Sequence, residues 1–168
     1  MLGGAHIIFG NSLASNLTSH PISGFILGFA THHLADMLPH IDLNVLNTKT
    51  KGEEFNFFQL PLKIQMIVLL EFLLGIIFSL YFFTYLHHKD LVLITSISLG
   101  SIFSDLLSML FNKHISKYNF GKKYLNFHKT YHFRLKSLNR NYVIFVFLMQ
   151  ITLLFISLIF FKASLKFV

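Results

Sequence analysis

The chain has 168 residues, of which 54% are hydrophobic and 12% charged, with a mean hydropathy of +0.61. Soluble domains carry about a quarter charged residues, so this composition excludes an ordinary water-soluble globule and fits an integral membrane protein of one domain. The absence of Cys excludes disulfides and thiolate metal sites, and the formal charge of +7 reads most simply as the basic excess of cytoplasmic loops.

In chain order, the N-terminus lacks Lys or Arg ahead of its apolar residues, and His6, Asn11 and Asn16 interrupt them, so it does not read as a signal peptide. Ala5 to Leu17 reads as a short helix and Ser19-His20-Pro21 as a turn, with Ser23 a candidate N-cap. Ile22 to Leu38 reads as a second helix, stopped by Pro39. Residues 1–42 thus form a helical hairpin that dips into the bilayer or crosses it twice. Gly24 and Gly28, four apart, allow close helix contact there.

After a polar connection over 43–61 come apolar runs at 62–86, 91–111 and 142–161. Each is about the 20 residues that a helix needs to cross a hydrocarbon core, and each is too long for a barrel strand. The expected fold class is all-α: an integral membrane helical bundle of three long spans plus the short N-terminal hairpin. Between the last two runs, residues 112–141 hold Lys113, Lys117, Lys122, Lys123, Lys129, Arg134, Lys136 and Arg140 and no acid. This basic segment is expected in the cytoplasm. Counting spans back puts 87–90 outside and 43–61 inside, with Lys162 and Lys166 a minority outside. The expected location is the cell (inner) membrane, multi-pass.

That topology gathers acids and imidazoles on one side. "THHLADMLPHID" (31–42) contributes His32 and Asp36, four apart on one helical face, then His40 and Asp42 in extended chain. His128 and His132 in "FHKTYH" repeat the four-residue spacing by which one helix offers two imidazoles to a metal. Asp105 is a lone acid in an apolar run, a placement that costs at least about 2.5–3.5 kcal/mol unless something compensates it. His6 lies on the same side. His20, His87, His88 and His114 read as interfacial residues. His33 points about 100° from His32 and is assigned to headgroups or an outer ligand shell. Glu71 joins the site, pairs with Lys63 or is neutral. Salt bridging of the acids to Lys129 or Arg134 is the competing structural explanation.

These residues resemble a family. "GFATHHLADMLPHID" looks like the Ser/Thr-His-x-x-x-Asp-x-x-Pro-His-x-Asp signature of small multispanning inner-membrane proteins assigned as metal-dependent hydrolases, a group that includes one described as LexA-binding. The chain is also similar to that group in His6 followed by Gly10, in "GSIFSDLL" and in "FHKTYH" before the last span. It departs from the pattern at Ser104, where Pro is frequent, at Ile41, where an aromatic is frequent, and at Arg134 and Lys136, where a further His is frequent. The resemblance implies a metal-dependent hydrolase without specifying its substrate.

The expectation is therefore a membrane-bound metal-dependent hydrolase with a His/Asp site at the cytoplasmic face. Its expected metal ligands are His6, His32, Asp36, His40, Asp105, His128 and His132, holding a divalent ion such as Zn, Mn, Fe or Mg. Asp42 and Asp105 are the candidate catalytic bases. Lys129, Arg134 and Lys136 are candidates to hold a substrate anion, which points to phosphoester or lipid-headgroup substrates. The expected partner is the bilayer, with anionic lipid or a phosphoester substrate; a protein partner is unknown from the sequence. Nucleic acid is disfavoured because the basic segment matches no recognised module. The alternatives are an ion- or proton-coupled transport protein and a non-catalytic metal-binding scaffold.

Overall fold

The computed structural model describes residues 3–38, 61–131 and 140–164, with the side chains of 108–113, 129, 140–143 and 163–164 left aside. Every regular element among them is helical. In order these are α1 (Gly3–Ala14), α2 (Pro21–Met37), α3 (Leu62–Ser79) continued as a π-helix over Leu80–Leu86, α4 (Leu91–Ile115), α5 (Asn119–Tyr131) and α6 (Arg140–Ser164).

Among the described residues, two stretches, Leu62–Leu86 and Ile144–Lys162, are long and apolar enough to cross a membrane. They carry most of their large side chains outward: Met66, Leu70, Leu74 and Ile77 on α3, Phe155, Ile159 and Phe160 on α6. The third apolar run of the sequence lies in α4, which is apolar over Leu91–Leu107. Two of its serines face inward: Ser101 and Ser104 are fully buried.

The N-terminal pair differs slightly from its sequence reading. α1 starts before Ala5 and stops at Ala14, and α2 takes Pro21 as its first residue behind an extended His20, so Ser23 is not the cap. Pro at the first helical position loses nothing, because its missing N–H would have had no partner within the helix.

α1 is the hub. It packs against α2, α3, α4 and α6, and nine of its twelve residues are buried. Small residues let the neighbours close in. A Cβ on Gly28 of α2 would lie 2.3 Å from the Ile97 carbonyl oxygen of α4, and one on Gly100 would lie 2.1 Å from the Phe25 carbonyl. Helices this close gain packing that needs no water to drive it.

Apolar clusters fill the two ends. Ala14, Leu93 and Ile97 pack with Leu27, and Phe83, Ile94 and Phe161 pack with Leu80, Phe82 and Leu158. At the other end Ala5, Phe9 and Ala35 pack with Leu13, Leu38 and Leu154. The contacts fix direction: α1, α3 and α6 run one way, α2 and α4 the other.

Candidate metal centre

Four helices converge beside the Ala5–Phe9–Ala35 cluster. α1 supplies His6; α2 supplies His32, His33 and Asp36; α4 supplies Asp105; α5 supplies His128. Asp36 sits at the centre and is 1% exposed, as are His6 and His32. Its carboxylate lies 3.1 Å from His6 Nε2, 3.0 Å from His32 Nε2 and 3.7 Å from His128 Nδ1. Asp105 lies 3.8 Å from His32 Nε2 and 4.0 Å from His6 Nε2. The rings crowd accordingly: His6 and His32 have centroids 4.2 Å apart, and His32 stacks on His128 at 5.7 Å.

The i, i+4 spacing does what helical geometry requires of it. His32 and Asp36 project from one face of α2, and α1 crosses that face with His6. The ring of His32 is fixed from behind, because its Nδ1 lies 2.8 Å from the Ser101 carbonyl oxygen. A carbonyl only accepts, so Nδ1 carries the proton and donates it. In the neutral ring Nε2 then carries a lone pair. That nitrogen is fully buried without a hydrogen-bond partner of good geometry, and it faces carboxylate oxygens of Asp36 and Asp105. A lone pair turned toward two acceptors is repulsive in a buried setting. A cation between them, or a proton on the ring, removes the conflict.

The donor spacing fits a metal ion. Donors at about 2.0–2.1 Å around a tetrahedral ion stand roughly 3.4 Å apart; the His–carboxylate distances here run from 3.0 to 4.0 Å. Among the described residues, two overlapping groups could hold an ion: His32, His33, Asp36 and His128, and His6, His32 and Asp105. The donors are all nitrogen and oxygen, a set suited to Zn, Mn or Fe.

Of the residues predicted from sequence, His6, His32, Asp36, Asp105 and His128 come together. His40, Asp42, His132, Arg134 and Lys136 lie outside the described residues, as does the Lys129 side chain. His33 belongs closer to the site than its sequence position suggested. α5 packs across α2, so a residue rotated about 100° from His32 still faces His128, at a centroid distance of 5.7 Å. Glu71 has a different job: its carboxylate accepts the backbone N–H groups of Gly4 and Ala5, each at 3.0 Å.

Two further residues escaped the sequence reading. Ser104 Oγ lies 3.2 Å from His128 Nδ1 and also hydrogen-bonds the Tyr124 hydroxyl. Tyr124 stacks over His128. Burial holds its phenol above the ordinary range. The only sequence signal was Ser104 itself, standing where Pro is frequent.

Gly4 packs between Glu71 and Gly75, which flank the middle of Leu62–Leu86. His6 is two residues, about 3 Å, further along α1. Ile8 of α1 lines a hollow shared with Ile151, Leu154, Phe155 and Leu158 of α6, again near the middle of Ile144–Lys162. α1 has 12 residues against 25 for α6, and its start lies level with the middle of α3. No family model, curated protein or solved structure matches the chain.

Proposed function

We propose that the chain is a membrane-embedded, metal-dependent hydrolase of the small multispanning inner-membrane kind that its motifs resemble. The observation that carries this reading is the buried Nε2 of His32, aimed at two carboxylates while its other nitrogen is bonded to the Ser101 carbonyl. His6, His32, Asp36, Asp105 and His128 would hold a divalent ion, with His33 beside them. Such an ion supplies a water of lowered pKa and polarises a scissile bond.

The chain's own groups account for the rest. Asp105 has the most open side chain of the cluster, 32% exposed, and is the acid positioned to take a proton from an arriving water. Tyr124, protonated and held by Ser104, can donate to a developing oxyanion or leaving group. The basic residues of 112–141 favour an anionic substrate, a phosphoester or lipid headgroup. In the membrane orientation that the charge distribution supports, the α5 end of the cluster faces the cytoplasm.

The test is elemental analysis of detergent-purified protein, with hydrolysis of a chromogenic phosphodiester measured alongside. Wild type should retain about one or two ions per chain, and His32→Ala and Asp36→Ala should lose them together with activity. Equal metal content in all three proteins overturns the proposal.

The level that His6 and Asp36 share with Glu71 along α3 favours a second reading, in which these groups pass protons or ions across the bilayer. Flux in proteoliposomes that persists without hydrolytic activity would select it.

A further inference from the structure

α5 divides into three faces when its residues are set 100° apart. Leu125 and His128 turn inward and are 5% and 8% exposed. Phe120, Phe127 and Tyr131 fall on a second stripe, and all three are open, Phe120 at 82%. Lys122, Lys123, Asn126 and Thr130 occupy the remaining side and are exposed. A helix with lysines on one flank and bare aromatic rings on the next is poorly accommodated by water alone. It suits the boundary between acyl chains and headgroups, where aromatic rings sit at headgroup level and lysine stems reach outward to the charge.

We infer that α5 docks on an anionic lipid surface, with Phe120, Phe127 and Tyr131 entering the leaflet and Lys122 and Lys123 on the headgroup phosphates, and that this docking seats His128 against Asp36. The inference rests on the membrane reading of α3 and α6. Charge complementarity selects the lipid: residues 112–141 carry eight Lys and Arg and no acid, so nothing within the segment neutralises the lysines. The coupling follows from position. His128 is the contribution of α5 to the His/Asp cluster, and α5 touches only α2 and α4 among the described helices in a substantial way. A helix held by so few neighbours can have its seat set by the surface beneath it. An anionic leaflet would complete the ligand set, and a neutral one would leave His128 loosely placed.

Because the chain has no native Cys, the test can use single-cysteine labelling of the full-length protein. Phe127→Cys and Lys123→Cys would carry an environment-sensitive fluorophore in nanodiscs of phosphatidylcholine alone or with about 30% phosphatidylglycerol. In the anionic discs the label at position 127 should shift to the blue and resist a water-soluble quencher, while the label at 123 stays quenchable. Co²⁺ affinity of the unlabelled protein should rise about tenfold with phosphatidylglycerol. That rise should disappear in Lys122→Gln/Lys123→Gln, since each lysine near an anionic surface contributes about fivefold.

Equal quenching at 127 in both lipids overturns the docking. So does protection at 127 that persists in detergent, which would mean a protein surface covers the stripe. A phosphatidylglycerol effect that survives the double lysine variant overturns the role of charge. If wild type binds no Co²⁺ in either disc, the metal reading and the coupling both fail, and the label still decides whether the helix docks.

Discussion

Glu71 reaches from the middle of the first long apolar helix to the start of α1, where it accepts the backbone N–H of Gly4 at 3.0 Å. A carboxylate within an apolar helix is a costly placement, and two things offset it here. The first N–H groups of a helix have no partners of their own, and the helix dipole puts partial positive charge among them. Gly75 lets the two backbones meet, since a Cβ there would lie 2.3 Å from the Gly4 Cα. Together these contacts set the axial position of α1, and with it the reach of His6 toward Asp36. Glu71→Ala should therefore destabilise the protein by roughly 1–3 kcal/mol. Glu71→Gln, which keeps one acceptor, should fold more nearly as wild type yet bind metal about tenfold more weakly, in line with the loss of a group that orients a ligand. X-ray absorption of the bound metal checks the cause: the Gln variant should show one fewer imidazole in the ligand shell.

The contact between α2 and α4 gives a second expectation. Gly28 and Gly100 each face backbone of the other helix rather than a side chain that can move aside. Gly28→Ala would force the helices apart, an overpacking that costs about 1–3 kcal/mol. The same shift would pull the Ser101 carbonyl away from His32 Nδ1, a bond of 2.8 Å in the native chain. Thermal unfolding in detergent should show the loss of stability, and metal affinity should fall with it. Thr31→Ser, one helical turn further along, keeps the hydroxyl that donates to the Gly28 carbonyl and should change neither.

Helix content and the central motif were legible in the sequence because both depend on local spacing. His32 and Asp36 share a face by helical period alone, and Pro39 marked the end of α2. The three apolar runs became helices, and Ser101 and Ser104 of α4 turn toward its neighbours. The level at which α1 meets α3 was not legible, because the contacts of Gly4 with Glu71 and Gly75 join distant parts of the chain. The contacts of Glu71, Ser104 and Tyr124 were not legible either. Each joins residues far apart in the chain, and such pairs leave no periodic trace in a single sequence.

Ser104 and Tyr124 form the side of the site that touches His128. With Ser104 Oγ bonded to both partners, removing either group frees the imidazole to rotate. Ser104→Ala and Tyr124→Phe should each leave the fold within about 0.5–1.5 kcal/mol of wild type, the usual net worth of one hydrogen bond. Their metal affinities should drop by about ten- to a hundredfold, the effect of losing a group that orients a ligand. If Tyr124 also donates a proton during turnover, Tyr124→Phe should lower kcat at saturating metal and Ser104→Ala should not. Steady-state kinetics at high metal concentration separates the two roles.

The last expectation concerns what a bound ion does to the fold. The cluster takes side chains from α1, α2, α4 and α5, so one ion would tie four elements whose like-charged acids and crowded rings otherwise repel. Binding only to the folded chain stabilises it by RT ln(1 + [L]/Kd), about 2.7 kcal/mol at a hundredfold excess over Kd. For a chain of this size that corresponds to a rise of roughly 5–10 °C in Tm. Zn²⁺ or Mn²⁺ added to metal-stripped protein should produce this shift in wild type and none in His32→Ala, while Mg²⁺ should do less because imidazole is a poor partner for it. A chain stabilised instead by a protonated His32 would respond to acid rather than to metal. Its Tm would rise as pH falls toward the imidazole range and would be indifferent to a chelator. Scanning Tm against pH with and without chelator therefore distinguishes a cation at the His/Asp cluster from a proton.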